Sequence, residues 1–323
     1  SPQRLVSVSS WTLESPESLA AFPEPEACRR RAAAPVPPGV VLDPHWGVRM
    51  RYLPPPADAG PARGVLVHLH GLGGHRLERH VQPVLRRAGW GVLECVYPLA
   101  GWSRLAADAS DPEQVRAAGA TMAAIIDDRF AELAIAAEAA IETLAAEGDE
   151  AAAAGPLLVA GFSAGGNAAP AVAARLAGRE RAMSIVMAGA DLMEITIAST
   201  LGDTGFDGVR DGRPVDRRRL TAAERRRFSE AYLERVRLDG FAVGPHLAGV
   251  PVLLVPARFD RVVPAAASRR LGERLGGSEV RWLPTGHVGG YLSLPWTGPR
   301  IGRWLLRAAG ALGNRDAKPA QTL

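Results

Sequence analysis

Leu157-Leu158-Val159-Ala160-Gly161-Phe162-Ser163-Ala164-Gly165-Gly166-Asn167 is the stretch on which the reading of this chain turns. Residues 156–160 form an uninterrupted apolar run, the pattern of a strand covered on both faces. Residues 168–176 are small and helix-forming. Between them stands G-x-S-x-G. In a sharp strand-to-helix turn, Cβ atoms at Gly161 and Gly165 would collide with neighbouring backbone. Such a turn holds the Ser163 hydroxyl clear of the sheet, at a helix N-terminus whose partial positive charge favours a developing anion. The pentapeptide alone is weak, and a structural serine is the plain alternative. A strand before and a helix after favour a nucleophile.

On both sides of this turn, apolar runs alternate with helical stretches. Gly64–Leu69 and residues 91–96 read as strands before it. Residues 183–187, 250–255 and 279–283 read as strands after it. Leu133, Ala137, Ala140, Ile141 and Leu144 recur at helical spacing, and Ala265–Leu275 and residues 300–309 read as helices. Alternation of this kind predicts an α/β fold, a mostly parallel sheet with helices on both faces. Upstream, residues 40–42 and 48–53 read as a hairpin around Asp43-Pro44-His45-Trp46-Gly47. Residues 1–39, rich in Pro and Ser, read as an irregular arm.

Residues 191–248 break the rhythm and are too long for an ordinary connection. They carry a helix of their own, with a capping box at Thr221–Glu224 and an apolar stripe of Phe228, Tyr232, Leu233 and Val236 behind it. The expectation is a helical cap insertion over one end of the sheet, with a helix packed at its side as the alternative. The core is then residues 40–190 and 249–312, followed by a tail at 313–323.

An activated serine needs a base, and the base needs an acid to fix its tautomer. Asp260 lies just past the run at 250–255, within Phe259-Asp260-Arg261-Val262-Val263-Pro264. His287 follows the last strand, in Gly286-His287-Val288-Gly289-Gly290. Both fall beyond strand carboxyl ends, where open α/β sheets place their sites. Asp191 is the reserve acid. His45, His68, His70, His75, His80 and His246 are the other histidines, and none follows the final strand. An oxyanion hole is expected from His68-Leu69-His70-Gly71-Leu72-Gly73-Gly74, with the N–H groups of Ala164 and of Leu72, or alternatively Gly73, as donors. His70 and His75 have no third ligand at useful spacing, so no metal is expected.

Composition sets the outer limits. The chain has 323 residues, 47% of them hydrophobic, which excludes a disordered chain. No apolar run approaches the roughly 20 residues of a membrane crossing. The net charge of +4 rests almost wholly on arginine, Lys318 being the one lysine. The basic runs 29–31, 217–219 and 225–227 lie among acidic residues without interleaved aromatics, so solvated faces are expected in place of a nucleic-acid site. Cys28 and Cys95 form no metal motif, and their spacing leaves a disulfide open. The opening Ser1-Pro2-Gln3 shows no signal segment, which leaves the compartment open between cytoplasmic and exported with a leader removed.

The H-G-x-G-G loop, the G-x-S-x-G turn, the acid segment F-D-R-V-V-P and the terminal G-H together resemble the α/β-hydrolase superfamily, over about residues 40–309. The V-V-P and G-H resemble its dienelactone-hydrolase-like and prolyl-oligopeptidase-like esterase branches. The resemblance implies a central, mostly parallel sheet of about eight strands, a Ser–His–Asp triad of Ser163, His287 and Asp260, and no cofactor. The expected activity is hydrolysis of a small-molecule carboxylic ester, with Trp102, Phe162, Val288 and Tyr291 shaping the substrate pocket. A lipase or thioesterase predicts an apolar lid, whereas residues 203–219 are polar. A peptidase or amidase predicts a gating domain, for which the arm at 1–39 is too short. A non-catalytic protein on this scaffold would lack part of the triad.

Overall fold

The computed structural model describes residues 4–7, 49–60, 62–72, 76–96, 105–201 and 205–313. Its strands are β1 (Arg4–Ser7), β2 (Arg49–Leu53), β3 (Gly64–Leu69), β4 (Trp90–Val96), β5 (Leu105–Asp108), β6 (Leu157–Phe162), β7 (Glu180–Val186), β8 (Phe206–Arg210), β9 (Arg213–Val215), β10 (Val252–Val255) and β11 (Glu279–Val280). Eight of them make one sheet in the order β1-β2-β4-β3-β6-β7-β10-β11. From β4 to β11 neighbours run parallel. β2 is antiparallel to both β1 and β4. The mostly parallel sheet read from the apolar runs is present. The chain winds outward from β3 to β4 in one direction and from β6 to β11 in the other. At such a reversal the loops leaving adjacent strands diverge and open a crevice. Ser163 and Leu72 both leave the sheet there, from β6 and β3.

The helices are α1 (Gln82–Arg87), α2 (Pro112–Ala146), α3 (Glu150–Ala154), α4 (Ala164–Arg175), α5 (Leu192–Ala198), α6 (Ala222–Leu233), α7 (Gly240–Val243), α8 (Ala265–Leu275) and α9 (His287–Gly313). Strand side chains alternate between two cores. Val65, Val67, Leu69, Leu157 and Val159 pack with α2, α4, α6 and α8 on one face. Leu66, Leu158, Ala160 and Phe162 pack with Val81 and Leu85 and with Leu294, Ile301 and Leu305 of α9 on the other. Each large side chain removed from water here contributes roughly 1.5–3 kcal/mol. α2 is the longest helix. Asp111 caps it by accepting from the Glu113 and Gln114 N–H groups, and Pro112 occupies its first turn, where the missing N–H costs nothing.

Several expectations need correction. The closing helix begins at His287, not at residue 300, because the apparent breakers serve packing. A Cβ on Gly290 would collide with the Met187 sulfur, and one on Gly298 would lie 2.9 Å from the His80 Cβ. Pro295 and Pro299 are accommodated within the same helix. β2 pairs with β1 and β4, and residues 40–42, expected as its hairpin partner, lie outside the described residues, as does most of the arm.

The segment 191–248 is not purely helical. Besides α5, α6 and α7 it forms the hairpin β8–β9, and β8 runs parallel to β5 in a separate three-stranded sheet. The predicted capping box is formed, with Thr221 and Glu224 exchanging backbone-to-side-chain bonds at 3.2 and 2.6 Å. Phe228 and Tyr232 are fully buried. α6 packs on α2, close enough that a Cβ on Gly119 would sit 2.7 Å from that of Ala231.

Candidate active site

Ser163 is the residue between β6 and α4, at φ 50° and ψ −117°. A non-glycine residue held at positive φ costs on the order of 1–3 kcal/mol and persists only where its surroundings fix it. The Ser163 N–H donates to the Val186 carbonyl at 2.8 Å. The glycines beside it are required by crowding. A Cβ on Gly161 would lie 2.6 Å from the Gly165 carbonyl oxygen. One on Gly165 would lie 2.5 Å from the His70 carbonyl oxygen and nearer still to that of Leu69. The loop after β3 is therefore pressed against the first turn of α4.

Asp260 comes from the loop after β10, and His287 opens α9 just beyond β11. The fold joins them to Ser163 in one hydrogen-bonded row. Ser163 Oγ lies 3.0 Å from His287 Nε2. His287 Nδ1 lies 2.7 Å from Asp260 Oδ2. The other carboxylate oxygen, Oδ1, accepts the Val262 and Val263 N–H groups at 2.8 and 2.9 Å. Asp260 is thus oriented by its own loop while one oxygen faces the imidazole. Ser163 and Asp260 are both buried.

Ala164 is the first residue of α4, so its N–H belongs to the turn that a helix leaves without internal partners. Leu72 follows β3 by three residues and is half exposed. Gly73, the alternative donor, lies outside the described residues. Behind this loop is a polar network that the sequence reading missed. The buried Glu78 carboxylate accepts the Gly71 N–H at 3.1 Å and lies 2.5 Å from His70 Nδ1. Gln82 joins His68 to Glu94, at 3.2 and 2.6 Å. Arg51 and Arg79 pair with Glu94 from outside. Burial works to lower the His70 pKa, but its bonds to Glu78 and Glu94 outweigh that and hold it above the usual range. His68 is pushed well down by burial and by His70.

Tyr291 links this network to the serine. Its hydroxyl shares hydrogen bonds with Glu78 and Ser163, and burial beside the Glu78 charge pushes its pKa far up. A Cβ on Gly71 would run into that hydroxyl. The ring packs edge-on to His287, with centroids 5.5 Å apart. Tyr291 follows His287 by one helical turn, a signal that was available only once α9 was known to begin at His287.

The other expected pocket residues disperse. Phe162 is fully buried, and its ring stacks on His68 at 5.2 Å, so it belongs to the core. Val288 is 71% exposed, on the outer surface of α9. Trp102 lies outside the described residues. In their place, Ile126, Phe130 and Leu133 of α2 and Leu192 of α5 line a small apolar cavity beside Ala164, with His70 and Arg129 at its margin. Asp191, the reserve acid, is buried in pairing with Ser229 and Arg270. His68, His70 and Glu78 present ligand atoms within 4.8 Å of one another. Glu78 already bonds three protein groups there, the Gly71 N–H, His70 Nδ1 and the Tyr291 hydroxyl, and arginines flank the cluster, so the donor set fits an ion-pair network better than a metal. Cys95 is buried in β4 and Cys28 lies outside the described residues. Among the described residues no helix is long and apolar enough to cross a membrane.

Solved structures of several esterases share this architecture. The esterase domain of a Rhodothermus marinus protein matches with a TM-score of 0.52 at 17% identity, covering 95% of this chain and 99% of that one. A cold-adapted esterase from an Arctic intertidal metagenomic library matches with a TM-score of 0.52 at 15% identity, covering 95% and 93%. Est1E from Butyrivibrio proteoclasticus matches with a TM-score of 0.50 at 17% identity, covering 82% and 96%. The fold is that of the α/β hydrolases. No family model matches the chain, and no curated protein sequence matches it either.

Proposed function

We propose that this protein hydrolyses carboxylic esters through an acyl-enzyme intermediate on Ser163. The observation that carries the reading is the unbroken row Ser163–His287–Asp260, at 3.0 and 2.7 Å, with its serine on a strained turn at a helix N-terminus. In this reading His287 Nε2 takes the Ser163 proton as Oγ attacks the ester carbonyl. Asp260 accepts from Nδ1–H, fixing the tautomer and stabilising the imidazolium. The N–H groups of Ala164 and Leu72 receive the oxyanion, a contribution worth about 2.7–4 kcal/mol for a single donor in comparable sites. His287 then protonates the departing alcohol. Water attacks the acyl-enzyme by the same route and releases the acid. Glu78 and Tyr291 hold the oxyanion loop and α9 in register. The cavity lined by Ile126, Phe130 and Leu133 suits a short apolar acyl group. The segment 191–248 acts as a cap through α5, which lines that cavity. Nothing in this sequence of steps calls for a cofactor.

The test needs no guess about substrate. Reaction with a fluorophosphonate followed by peptide mass spectrometry is expected to give one adduct, on Ser163, that disappears in His287→Ala. A folded sample that forms no adduct, or one that labels equally in His287→Ala, would leave the scaffold without an activated serine.

A further inference from the structure

The outer face of α9 is unlike the rest of the surface. Val288, Leu292 and Trp296 follow one another at intervals of four residues and are 71%, 61% and 69% exposed. Four-residue spacing puts them on one stripe of the helix. The opposite stripe, Gly290, Leu294, Gly298 and Ile301, faces the protein. The apolar surface continues sideways on both flanks. Phe259, 64% exposed, precedes Asp260, and its N–H donates to the Thr285 carbonyl just ahead of α9. Leu72, 43% exposed, follows Gly71, which abuts the Tyr291 hydroxyl. Val288, Phe259 and Leu72 each adjoin a residue of the Ser163–His287 site in the chain, and Leu292 and Trp296 extend the exposed apolar surface along α9. Contiguous exposed apolar surface of this kind marks an interaction site.

The charges around the patch are mainly basic, the acidic side chains at its edge being Glu273, which lines a cavity with Phe259, and Glu279, which accepts from Trp304 of α9. Three segments frame it: residues 76–81, 257–270 and 282–310. Their only carboxylates are Glu78 and Asp260, both buried and both paired. Their exposed ionisable groups include Arg76, Arg258, Arg261, Arg300 and Arg303. Arg300 continues the apolar stripe at the same four-residue interval. An apolar helical stripe with a mainly basic margin is the arrangement that seats a helix in the headgroup boundary of an anionic membrane. A second copy of this chain would bring a like-charged margin against this one.

We propose that the face formed by the outer stripe of α9, Phe259 and Leu72 docks on the surface of an anionic lipid bilayer, with the mouth of the Ser163 site turned toward the lipid. The docking stands on the surface alone. That the bilayer also delivers the ester rests on the hydrolase reading above.

The probe is sedimentation with large phosphatidylcholine vesicles containing either no anionic lipid or about 30% phosphatidylglycerol, in about 0.1 M salt. The full chain carries Ser163→Ala, so binding is measured without turnover. Binding to the anionic vesicles is expected to exceed binding to neutral ones by roughly tenfold or more, and to weaken as salt is raised. Leu292→Ser/Trp296→Ser is expected to reduce it by roughly tenfold or more, and Arg300→Glu/Arg303→Glu to abolish the anionic preference. A blue shift of tryptophan emission on binding, absent in Trp296→Phe, would locate the contact. Equal sedimentation with both vesicles, or undiminished binding of Leu292→Ser/Trp296→Ser, overturns the proposal. So does a failure to bind vesicles accompanied by self-association or by oligonucleotide binding that the same double variant removes. With Ser163 intact, Leu292→Ser/Trp296→Ser is expected to keep its activity on a soluble short-chain ester. Vesicle binding with no turnover of any ester would retain the docking and remove the hydrolase reading.

Discussion

Replacing Gly165 with alanine tests whether the loop after β3 and the serine turn act as one machined unit. A Cβ at this position falls 2.5 Å from the His70 carbonyl oxygen, with the Leu69 oxygen nearer still. Carbon–oxygen contacts settle near about 3.3 Å, so the two segments must part by about 0.8 Å. Both obstacles are backbone, and neither can swing aside as a side chain would. The movement separates the Leu72 N–H from Ser163 Oγ, the two groups that address one carbonyl in the proposed mechanism. Misplacement on this scale costs on the order of a hundredfold in rate. Overpacking of this kind destabilises by about 1–3 kcal/mol, which leaves a domain of this size folded. Steady-state hydrolysis of a p-nitrophenyl ester and a thermal melt measure the two effects separately. The expected result is a parallel fall of kcat and kcat/KM by about a hundredfold with a modest drop in Tm. Gly272→Ala is the matched control, since its Cβ would meet Leu254 Cδ2, Ser278 Oγ and Val280 Cγ2 at ordinary distances of 3.4, 3.6 and 3.9 Å. It lies inside α8 and is expected to stabilise by up to about 1 kcal/mol. A Gly165→Ala protein with unchanged kcat and Tm would mean that the loop and the turn are not in the contact described.

Three further outcomes follow from the site and its surroundings. Asp260→Asn is expected to lower kcat by on the order of 10⁴ with little change in Tm, whereas Asp191→Asn should do the reverse; exchanged phenotypes would transfer the acid role. Tyr291→Phe removes a hydroxyl shared by Ser163 and Glu78 and is expected to lower kcat about tenfold with KM nearly unchanged; a change in KM alone would return Tyr291 to the substrate pocket. Burial pushes the Asp127 carboxyl up to about 7 and that of Asp191 up to about 6. Between about pH 4 and 7 the folded chain therefore holds protons that the unfolded chain has lost, so stability falls as pH rises through that window. His70, also raised, adds to the fall above about pH 6.5, while His68, held down, opposes it below that value and is outweighed by the two carboxyls. Tm is expected to be higher at about pH 5 than at about pH 7.5, with a flatter profile in Asp127→Asn; a Tm that climbs over that range would contradict the assignment.

The strands were legible because a parallel sheet covered on both faces demands apolar side chains at every position. Gly64–Leu69 and Leu157–Phe162 satisfy that demand almost without exception. The serine turn was legible because its crowding admits only glycine at Gly161 and Gly165. α9 was not, since Gly289, Gly290, Pro295 and Pro299 carry the local marks of a loop. Only the three-dimensional neighbours, Met187 and His80, explain why small residues are needed on that helix. The Glu78–His70 network was hidden for a related reason. Its members come from β3, β4 and the turn before α1, and no spacing along the chain brings them together. Phe162 was misplaced because alternation from Ser163 fixes its direction only when the face reached by β6 is known. The hairpin β8–β9 was too short and too polar to stand out within its insertion.

The choice of acid is a matter of which carboxylate oxygen is free to accept from an imidazole. Among the described residues, four buried aspartates lie in loops or on helices around the core: Asp127, Asp191, Asp239 and Asp260. Asp239 uses one oxygen for the Asp191 and Phe241 N–H groups and the other for Leu192 N–H and the Tyr232 hydroxyl. Asp127 accepts the Arg237 and Leu238 N–H groups from the far end of the insertion. Asp191 caps α5 with Oδ1 through the Glu194 N–H and gives Oδ2 to Ser229 and Arg270. Asp127 and Asp191 fasten residues 191–248 to α2 and α8, Asp239 ties parts of that segment to one another, and the oxygens of all three are occupied by those tasks. Asp260 divides its two oxygens differently. Oδ1 takes the two N–H groups of its own loop, and Oδ2 is held toward His287 Nδ1 at 2.7 Å. A carboxylate that both anchors itself and leaves one oxygen aimed at the ring can fix the tautomer without moving. Asp191 could take that role only by releasing Arg270 and Ser229, which would leave a guanidinium and a hydroxyl beside a cut in the cap's attachment. Sequence position made Asp191 and Asp260 competitors; the hydrogen bonds each already makes separate them.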